Sequence, residues 1–533
     1  MMLTYGSMIA AIAVMMAADV QAGSRGAPRP NIVVILADDL GFSDLGCYGG
    51  EIKTPSLDGL AAGGLRFTQF YNTARCWPTR AALLTGYYAQ QVRRDSVPGV
   101  RSGSAGTRPR WAKLLPEMLH PLGYRSYHAG KWHVDGMPLV DGFDRSYYLE
   151  DVGRYFRPRV SYVDDRRQPA VASGSGYYAT TAIADHGIGF LAEHAAKHAA
   201  RPFFLYLAFN APHFPLQAPA ADIDRYQGRY GDGWEIVRAE RAKRIGDLGI
   251  VSARVSEVER GLGPPYDQPN VLKLLGADEV NRPVPWRSLT ERQRDFQATK
   301  MAIHAAMVDR MDREIARVIG QLRAMNVFDD TLVLFLSDNG ASAEIMVRDD
   351  GHDPVAPAGS AGTHLCLGPG WSTVANTPFR RHKTWVHEGG ISTPLIVHWP
   401  KGIAARGELR HDPGHVVDLV PTILELTGAN RLASPQVSLA PVAPGLSLVR
   451  DFARDGAVKH DELWWQHEGN RAIRVGDWKL VAAGEEGKWE LYNLAVDRTE
   501  TNDLAKEEPE RVKELARRWK VREEEYARVA RRE

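Results

Sequence analysis

The chain has 533 residues, with 66 Lys or Arg against 65 Asp or Glu, and a net charge of +1 with histidine neutral. This balance sets up no long-range field for nucleic acid, so attraction for an anion must come from a local cluster. Three cysteines, Cys47, Cys76 and Cys366, are too few and too odd in number for a disulfide framework. Taken in chain order, residues 8–18 form an apolar run too brief to span a bilayer, followed by Val20-Gln21-Ala22, a small-residue cleavage pattern. This predicts a signal peptide over residues 1–22 and a periplasmic or secreted protein. No basic residue precedes the run, so an uncleaved anchor is the alternative. No later stretch is apolar enough for a membrane helix.

Residues 31–36 (Asn-Ile-Val-Val-Ile-Leu) read as a strand buried on both faces of a parallel sheet, and they end in Ala37-Asp38-Asp39. The pattern returns at 203–209, followed by Ala211-Pro212-His213, and at 332–336, followed by Ser337-Asp338-Asn339-Gly340. Each strand delivers polar residues at its carboxyl end, the edge where open α/β sheets form ligand sites. Helices are predicted over 78–85, 111–119, 181–197 and 290–325, the last with Met301, Ala305, Val308, Met311, Ile315, Val318, Ile319 and Leu322 at helical spacing. Residues 219–286 are rich in Gly, Pro and charge without periodicity, which predicts long surface excursions. After a helix over 416–427, short strands at 463–468, 472–482 and 489–494 and a charged helix at 509–529 predict a smaller α+β unit on an antiparallel sheet. The expected domains are 23–431, an α/β unit, and 432–533.

Asp38-Asp39 alone reads as a helix cap or turn. With Asp338-Asn339 at another strand end it reads differently, because three carboxylates converging on one edge repel each other unless a cation sits among them. Oxygen-only ligands favour calcium or magnesium. Cys76-Trp77-Pro78-Thr79-Arg80, ending in Leu83-Leu84-Thr85-Gly86, places Cys76 at the mouth of a helix and Arg80 one turn later. Backbone N–H groups, the helix dipole and a guanidinium then act on one anion. Taken singly, Cys76 also reads as a buried structural thiol.

Cys-x-Pro-Thr-Arg followed by Leu-Leu-Thr-Gly closely resembles the signature of type I sulfatases. Asp38-Asp39-Leu-Gly-Phe-Ser-Asp44, Gly130-Lys131-Trp132-His133, Ala211-Pro212-His213, Ser337-Asp338-Asn339-Gly340, Lys383 with His387-Glu388-Gly389-Gly390, and Glu490-Leu-Tyr-Asn-Leu494 resemble the family's landmarks in the family's order. The resemblance spans nearly the whole mature chain. It implies an alkaline-phosphatase-like fold, a mixed and mostly parallel sheet sandwiched by helices. It also implies a formylglycine made from Cys76 by a separate modifying enzyme, and one Ca2+ held by Asp38, Asp39, residue 76, Asp338 and Asn339. One hydroxyl of the hydrated aldehyde would attack the sulfur of a sulfate ester, and the second would help expel sulfate from the covalent sulfo-enzyme. Arg80, Lys131 and Lys383 would hold formylglycine and sulfate, His213 would protonate the leaving group, and His133 would assist hydroxyl deprotonation. The family pattern fills the metal site without Asp44, which is read as fixing a turn, or Glu388, and His387 is placed outside the site.

Trp77 departs from the small residues usual at its place; with Pro78 and Arg80 present, modification is expected, though not necessarily complete modification in a foreign host. The segment from Asn376 to His387-Glu-Gly-Gly-Ile-Ser-Thr resembles bacterial arylsulfatases, and the substrate is expected to be an aryl sulfate or a sulfated carbohydrate. Rim loops are expected at 100–110, 155–173, 214–286 and 341–371. Two alternatives share the residues: a phosphonate or phosphodiester hydrolase on the same fold, and a sulfated-glycan-binding protein with unmodified Cys76. Cys47 and Cys366 are read as free buried thiols, with a disulfide between them as the alternative.

Overall fold

Runs of β-branched and large apolar residues build the centre of a mixed sheet of eleven strands in a computed structural model that describes residues 29–96, 106–252, 254–266, 268–348, 351–429 and 440–533. The predicted signal segment and the domain boundary at 432 lie outside the described residues. The strands are β1 (Asn31–Ala37), β2 (Leu65–Tyr71), β3 (Arg125–Gly130), β4 (Arg145–Leu149), β5 (Ser161–Val163), β6 (Arg166–Arg167), β7 (Phe203–Ala208), β8 (Thr331–Ser337), β9 (Ser392–His398), β10 (Glu408–Arg410) and β11 (Gly414–His415). They lie in the order β10-β2-β9-β8-β1-β7-β3-β4-β5-β6, with β11 also on β2. The pairs β8-β1, β1-β7, β7-β3 and β3-β4 are parallel, whereas β9 runs antiparallel to β2 and β8.

Side-chain alternation divides β1 between two cores. Val33, Ile35 and Ala37 pack with the Glu291–Ala324 and Ala179–Lys197 helices, and Ile32, Val34 and Leu36 face the opposite layer. That opposite layer is continuous with the C-terminal part: Trp464, Ile473, Leu480 and Leu491 belong to the same cluster as Val34. They come from a second sheet, β12 (Leu463–His467), β13 (Asn470–Val475), β14 (Trp478–Ala482) and β15 (Glu490–Asn493), antiparallel throughout. The Pro509–Val529 helix packs Leu515, Trp519 and Tyr526 into that layer.

Two sequence expectations need correction. Residues 219–286 contain the helices Ala220–Ile223, Trp234–Asp247 and Pro269–Leu275. The inward face of Trp234–Asp247 is Trp234, Val237, Arg238, Arg241 and Ile245, so two buried arginines hide a helical period from a hydrophobic reading. Fully buried Arg241 donates from Nε and Nη2 to Glu51 at 2.8 Å each and from Nη1 to Asp44 at 2.7 Å. The second correction concerns residues 111–119, where only Leu115–Leu119 is α-helical, with Pro116 in its first turn. Cys47 and Cys366 are free thiols; Cys366 is buried and Cys47 half-buried. No helix among the described residues is long and apolar enough to cross a membrane.

Candidate active site

Strand register brings the site together. Ala37 pairs with Ser337, and Leu36 and Gly130 both pair with Ala208. The residues after β1, β8, β7 and β3 therefore emerge side by side at the carboxyl edge. Asp38 N–H donates to the Ala211 carbonyl at 3.0 Å, Asp338 N–H to Ala37 at 3.1 Å and Lys131 N–H to Ala208 at 2.8 Å. Gly130 is required here: its φ is +122°, and a Cβ would lie 1.9 Å from the Ala208 oxygen. The Lys383 loop is tied in by two bonds, Lys383 N–H to Ala341 at 3.1 Å and Thr384 N–H to Ala74 at 2.9 Å.

The Cys76–Thr85 helix is buried along its whole length and ends at Gly86, whose φ of +78° lets its N–H reach the Ala82 carbonyl at 2.9 Å. Its entry is fixed by Thr79, whose Oγ1 accepts the Thr73 N–H at 3.1 Å. Cys76, the first residue, is 3 % exposed. Its sulfur and one oxygen each of Asp38 and Asp338 lie within 4.8 Å of one another. Burial, with Asp38 and Asp338 nearby, pushes the thiol above its ordinary pKa despite Lys131 and Lys383. Positive φ values at Asp39 (64°), Ala74 (66°), His133 (57°) and Thr384 (85°) concentrate backbone strain around this centre.

The charges are interlocked. Arg80 donates to Asp338 Oδ2 from Nε (3.0 Å) and Nη2 (2.7 Å), and its Nη1 donates to the Lys131 carbonyl (3.1 Å). Lys131 Nζ meets Asp38 Oδ2 at 2.6 Å. Lys383 Nζ lies 2.9 Å from Asp39 and 3.0 Å from Glu344, and Glu344 in turn pairs with Arg75 at 3.0 Å. Burial opposes the charge on Lys383, but Asp39 and Glu344 outweigh it and hold the ammonium above its ordinary value. Burial raises Asp38 more than Lys131 lowers it, whereas in Asp39 the opposing Lys383 and His213 win and the carboxyl is lowered.

His213 Nδ1 donates to the Phe214 carbonyl at 2.5 Å, which leaves Nε2 facing Asp39 Oδ2 at 3.7 Å. Burial pushes this imidazole down to about 4. His133 is also depressed, first by burial and then by Lys131 and Arg80, and its ring lies 5.6 Å from the Trp77 ring, edge-on.

Two buried oxygens in this cluster have no hydrogen-bond partner among the described residues: Asp38 Oδ1 and Asn339 Oδ1. Asn339 spends its amide nitrogen on Asp39 Oδ1 at 2.7 Å. Three carboxylates and a buried amide oxygen form a hard donor set that fits a divalent cation of the calcium or magnesium type. Asp44 lies apart, accepting from Gly41 N–H (2.9 Å), Arg241 (2.7 Å) and His304 (3.0 Å), so it braces the turn. Glu388 binds Lys479 at 2.8 Å and His387 faces Glu490 at 3.4 Å, both toward the C-terminal sheet.

Sequence reasoning missed Glu344 and Arg75, which complete the ion chain to Lys383, and the C-terminal contribution. His467 stacks edge-on against Trp77 at 5.6 Å and binds Asp95 at 3.1 Å and Glu468 at 3.1 Å. The Trp77 indole N–H donates to the Asp95 carbonyl at 2.8 Å. The only signal for Glu344 is an acid six residues after Asp338.

The Sulfatase family model matches residues 30–429, and the model for the N-sulphoglucosamine sulphohydrolase C-terminal region matches residues 380–526. An uncharacterized sulfatase of Schizosaccharomyces pombe is 32 % identical over 96 % of each chain. An arylsulfatase of Klebsiella aerogenes is 31 % identical, over 83 % of this chain and 96 % of its own. Among solved structures, one in complex with k-i-k-neocarrahexaose has a TM-score of 0.65 at 23 % identity, over 93 % of each chain. Another, in complex with its substrate D-glucosamine-2-N,6-O-disulfate, has a TM-score of 0.61 at 21 % identity, over 94 % of this chain and 98 % of that one. The chain belongs to the sulfatase family and is a sulfuric ester hydrolase of alkaline-phosphatase-like fold.

Proposed function

We propose that the protein is an exported enzyme that cleaves sulfate monoesters of aryl alcohols or sugars with a formylglycine at position 76 and one calcium ion. The observation that carries this reading is the pair of partnerless oxygens, Asp38 Oδ1 and Asn339 Oδ1, in the cluster where Asp38 and Asp338 crowd a buried cysteine at a helix mouth. Hard cations have little affinity for sulfur, so an oxygen function at position 76 suits this donor set better than a thiol. Asp38, Asp39, Asp338 and Asn339 would hold the calcium, which supplies Lewis-acid polarisation of the sulfate oxygens when bound. Conversion of Cys76 requires a formylglycine-generating partner enzyme and supplies an oxygen nucleophile.

The remaining chemistry belongs to the side chains. Arg80, anchored by Asp338 on one side and the Lys131 carbonyl on the other, presents a fixed guanidinium to the residue-76 end of the sulfate. Lys131 and Lys383 offset the negative charge that moves to the leaving oxygen. His213, oriented by its Nδ1–H bond to Phe214, is the general acid for that oxygen through Nε2 as the imidazolium, the form that Asp39 at 3.7 Å favours against burial. His133 takes the proton released when sulfate departs.

The test is turnover by protein co-produced with a formylglycine-generating enzyme. p-Nitrophenyl sulfate should be hydrolysed in preference to bis(p-nitrophenyl) phosphate, chelation should abolish turnover, calcium should restore it, and Cys76→Ala should be inactive. A preference for the phosphate diester would point to the phosphodiesterase reading. Sulfated-glycan binding without turnover would point to the binding-protein reading.

A further inference from the structure

Trp77, next to residue 76, is 4 % exposed and sits in a frame drawn from distant parts of the chain. Its indole N–H donates to the Asp95 carbonyl at 2.8 Å, and the Asp95 carboxylate meets His467 Nδ1 at 3.1 Å, so one residue ties both rings. The His467 ring lies 5.6 Å from the indole, edge-on, and the Arg75 guanidinium carbon lies 5.0 Å from the indole centroid. His467 ends β12. The next residue, Glu468 at φ +47°, meets His467 Nε2 at 3.1 Å and accepts the Tyr266 hydroxyl at 2.8 Å. Tyr266 closes the frame, with its ring 5.2 Å from the Arg75 guanidinium.

His133 is the neighbour that this frame holds. Its ring meets the indole edge-on at 5.6 Å, with 69° between the planes. An imidazole that moves a proton with one nitrogen is ordinarily oriented by a hydrogen bond on the other. His133 Nδ1 is buried without a hydrogen-bond partner among the described residues, and the residue sits at φ +57°. His213 offers the contrast, since its Nδ1 is held by the Phe214 carbonyl. Ring packing on Trp77 therefore stands in for the missing tether. A serine at position 77 would leave the imidazole a gap to turn into, whereas another aromatic ring would fill most of it.

We propose that Trp77 is the positioning residue for His133 in the sulfate-releasing half of the cycle, with His467 bracing it from the C-terminal sheet. This rests on the sulfatase reading and deepens it. In that half, the bond between the residue-76 carbon and the sulfate oxygen breaks with its electron pair going to sulfate. The second hydroxyl closes to the carbonyl, and its proton passes to His133, so that aldehyde, sulfate and imidazolium are formed. Ester cleavage, the earlier half, calls on His213 and not on this ring. The indole touches no reacting atom; it keeps the imidazole where the proton is released.

The test compares wild type with Trp77→Ser, Trp77→Phe and His467→Ala. Rates are normalised to residue-76 conversion in each sample, because Trp77 lies in the modification motif and His467 does not. On p-nitrophenyl sulfate, Trp77→Ser should lower kcat about tenfold to a hundredfold while kcat/KM, which reports ester cleavage, stays within about threefold. Rapid mixing should show a burst of about one p-nitrophenolate per converted site, and acid-quenched protein should carry more sulfate on residue 76 than wild type does. Trp77→Phe should recover at least about threefold of the lost kcat. His467→Ala should follow Trp77→Ser in smaller degree, and it carries the test if Trp77→Ser does not fold. The proposal is overturned if kcat and kcat/KM fall equally, if kcat is unchanged in every folded variant, or if Trp77→Phe is as slow as Trp77→Ser. Failure of the sulfatase reading looks different: wild type releases no p-nitrophenolate and carries no sulfate. Crystal structures then judge Trp77 alone. A His133 ring ordered in wild type and turned or disordered in Trp77→Ser supports the positioning role, and the same ordered ring in both overturns it.

Discussion

Replacing Glu344 by Gln removes one charge from the middle of a buried chain, Arg75–Glu344–Lys383–Asp39, whose links measure 3.0, 3.0 and 2.9 Å. Taking away one partner of a buried ion pair costs ~3–5 kcal/mol. Lys383 keeps Asp39, and Arg75 keeps the Thr384 hydroxyl at 2.6 Å, so the lower end of that range, ~3 kcal/mol, applies. The loss falls on Lys383, which without Glu344 is drawn toward Asp39 and away from the sulfate. Weakening one charged group that stabilises the transition state costs on the order of 10²-fold in kcat. Steady-state kinetics on p-nitrophenyl sulfate should show that drop with KM changed less than about threefold, and Glu344→Asp should recover part of it. Conversion at position 76 is measured in the same samples, so that nucleophile content is held equal. A folded Glu344→Gln protein with wild-type kcat would refute the assignment of Glu344 as the positioning residue for Lys383.

Arg241→Met leaves buried Asp44 without its guanidinium and half-buried Glu51 with Arg244, at 3.4 Å, as its one remaining cation among the described residues and should cost ~3 kcal/mol in urea unfolding; unchanged stability would mean that the turn after the Asp38-Asp39 pair is held by other interactions. His213→Ala should lower turnover of a sugar sulfate by ~10²–10⁴-fold but that of p-nitrophenyl sulfate much less, because a good leaving group needs little protonation; equal losses would remove the general-acid role. Burial works against the charge on His467, but Asp95 and Glu468 outweigh it and hold the imidazole above its ordinary value. Its contribution to stability is therefore full below about pH 6.5 and is lost as pH rises through the folded-state value. Urea midpoints should fall between pH 6 and pH 9 by more in wild type than in His467→Gln, and parallel profiles would contradict the pairing.

The central strands are legible because burial on both faces leaves uninterrupted apolar runs, as in β1, β7 and β8. The outer strands are not: β6 is two exposed arginines, and β10 begins with an exposed glutamate, so their pairing comes from the neighbouring strand and leaves no pattern of their own. The Trp234–Asp247 helix is hidden by two inward-facing arginines: Arg241, whose partners Asp44 and Glu51 lie about 200 residues earlier in the chain, and Arg238, which donates to the Ser256 hydroxyl. Within the site, Cys76, Arg80 and the acidic strand ends carry local signals of helix mouth and strand edge. Glu344 and Arg75 carry none, since each is a single charge in a polar loop until folding sets them beside Lys383. His467 is further hidden, because it reaches Trp77 only through the packing of the small sheet on the large one.

We infer that the nucleophile at position 76 is an oxygen made from Cys76. Mass spectrometry of the tryptic peptide 76–80, from protein purified out of its natural host, tests it most directly. The expected result is a loss of about eighteen mass units, the replacement of the CH2–SH side chain by CHO. An intact cysteine in folded, active enzyme would contradict it, because turnover would then have to proceed without the aldehyde.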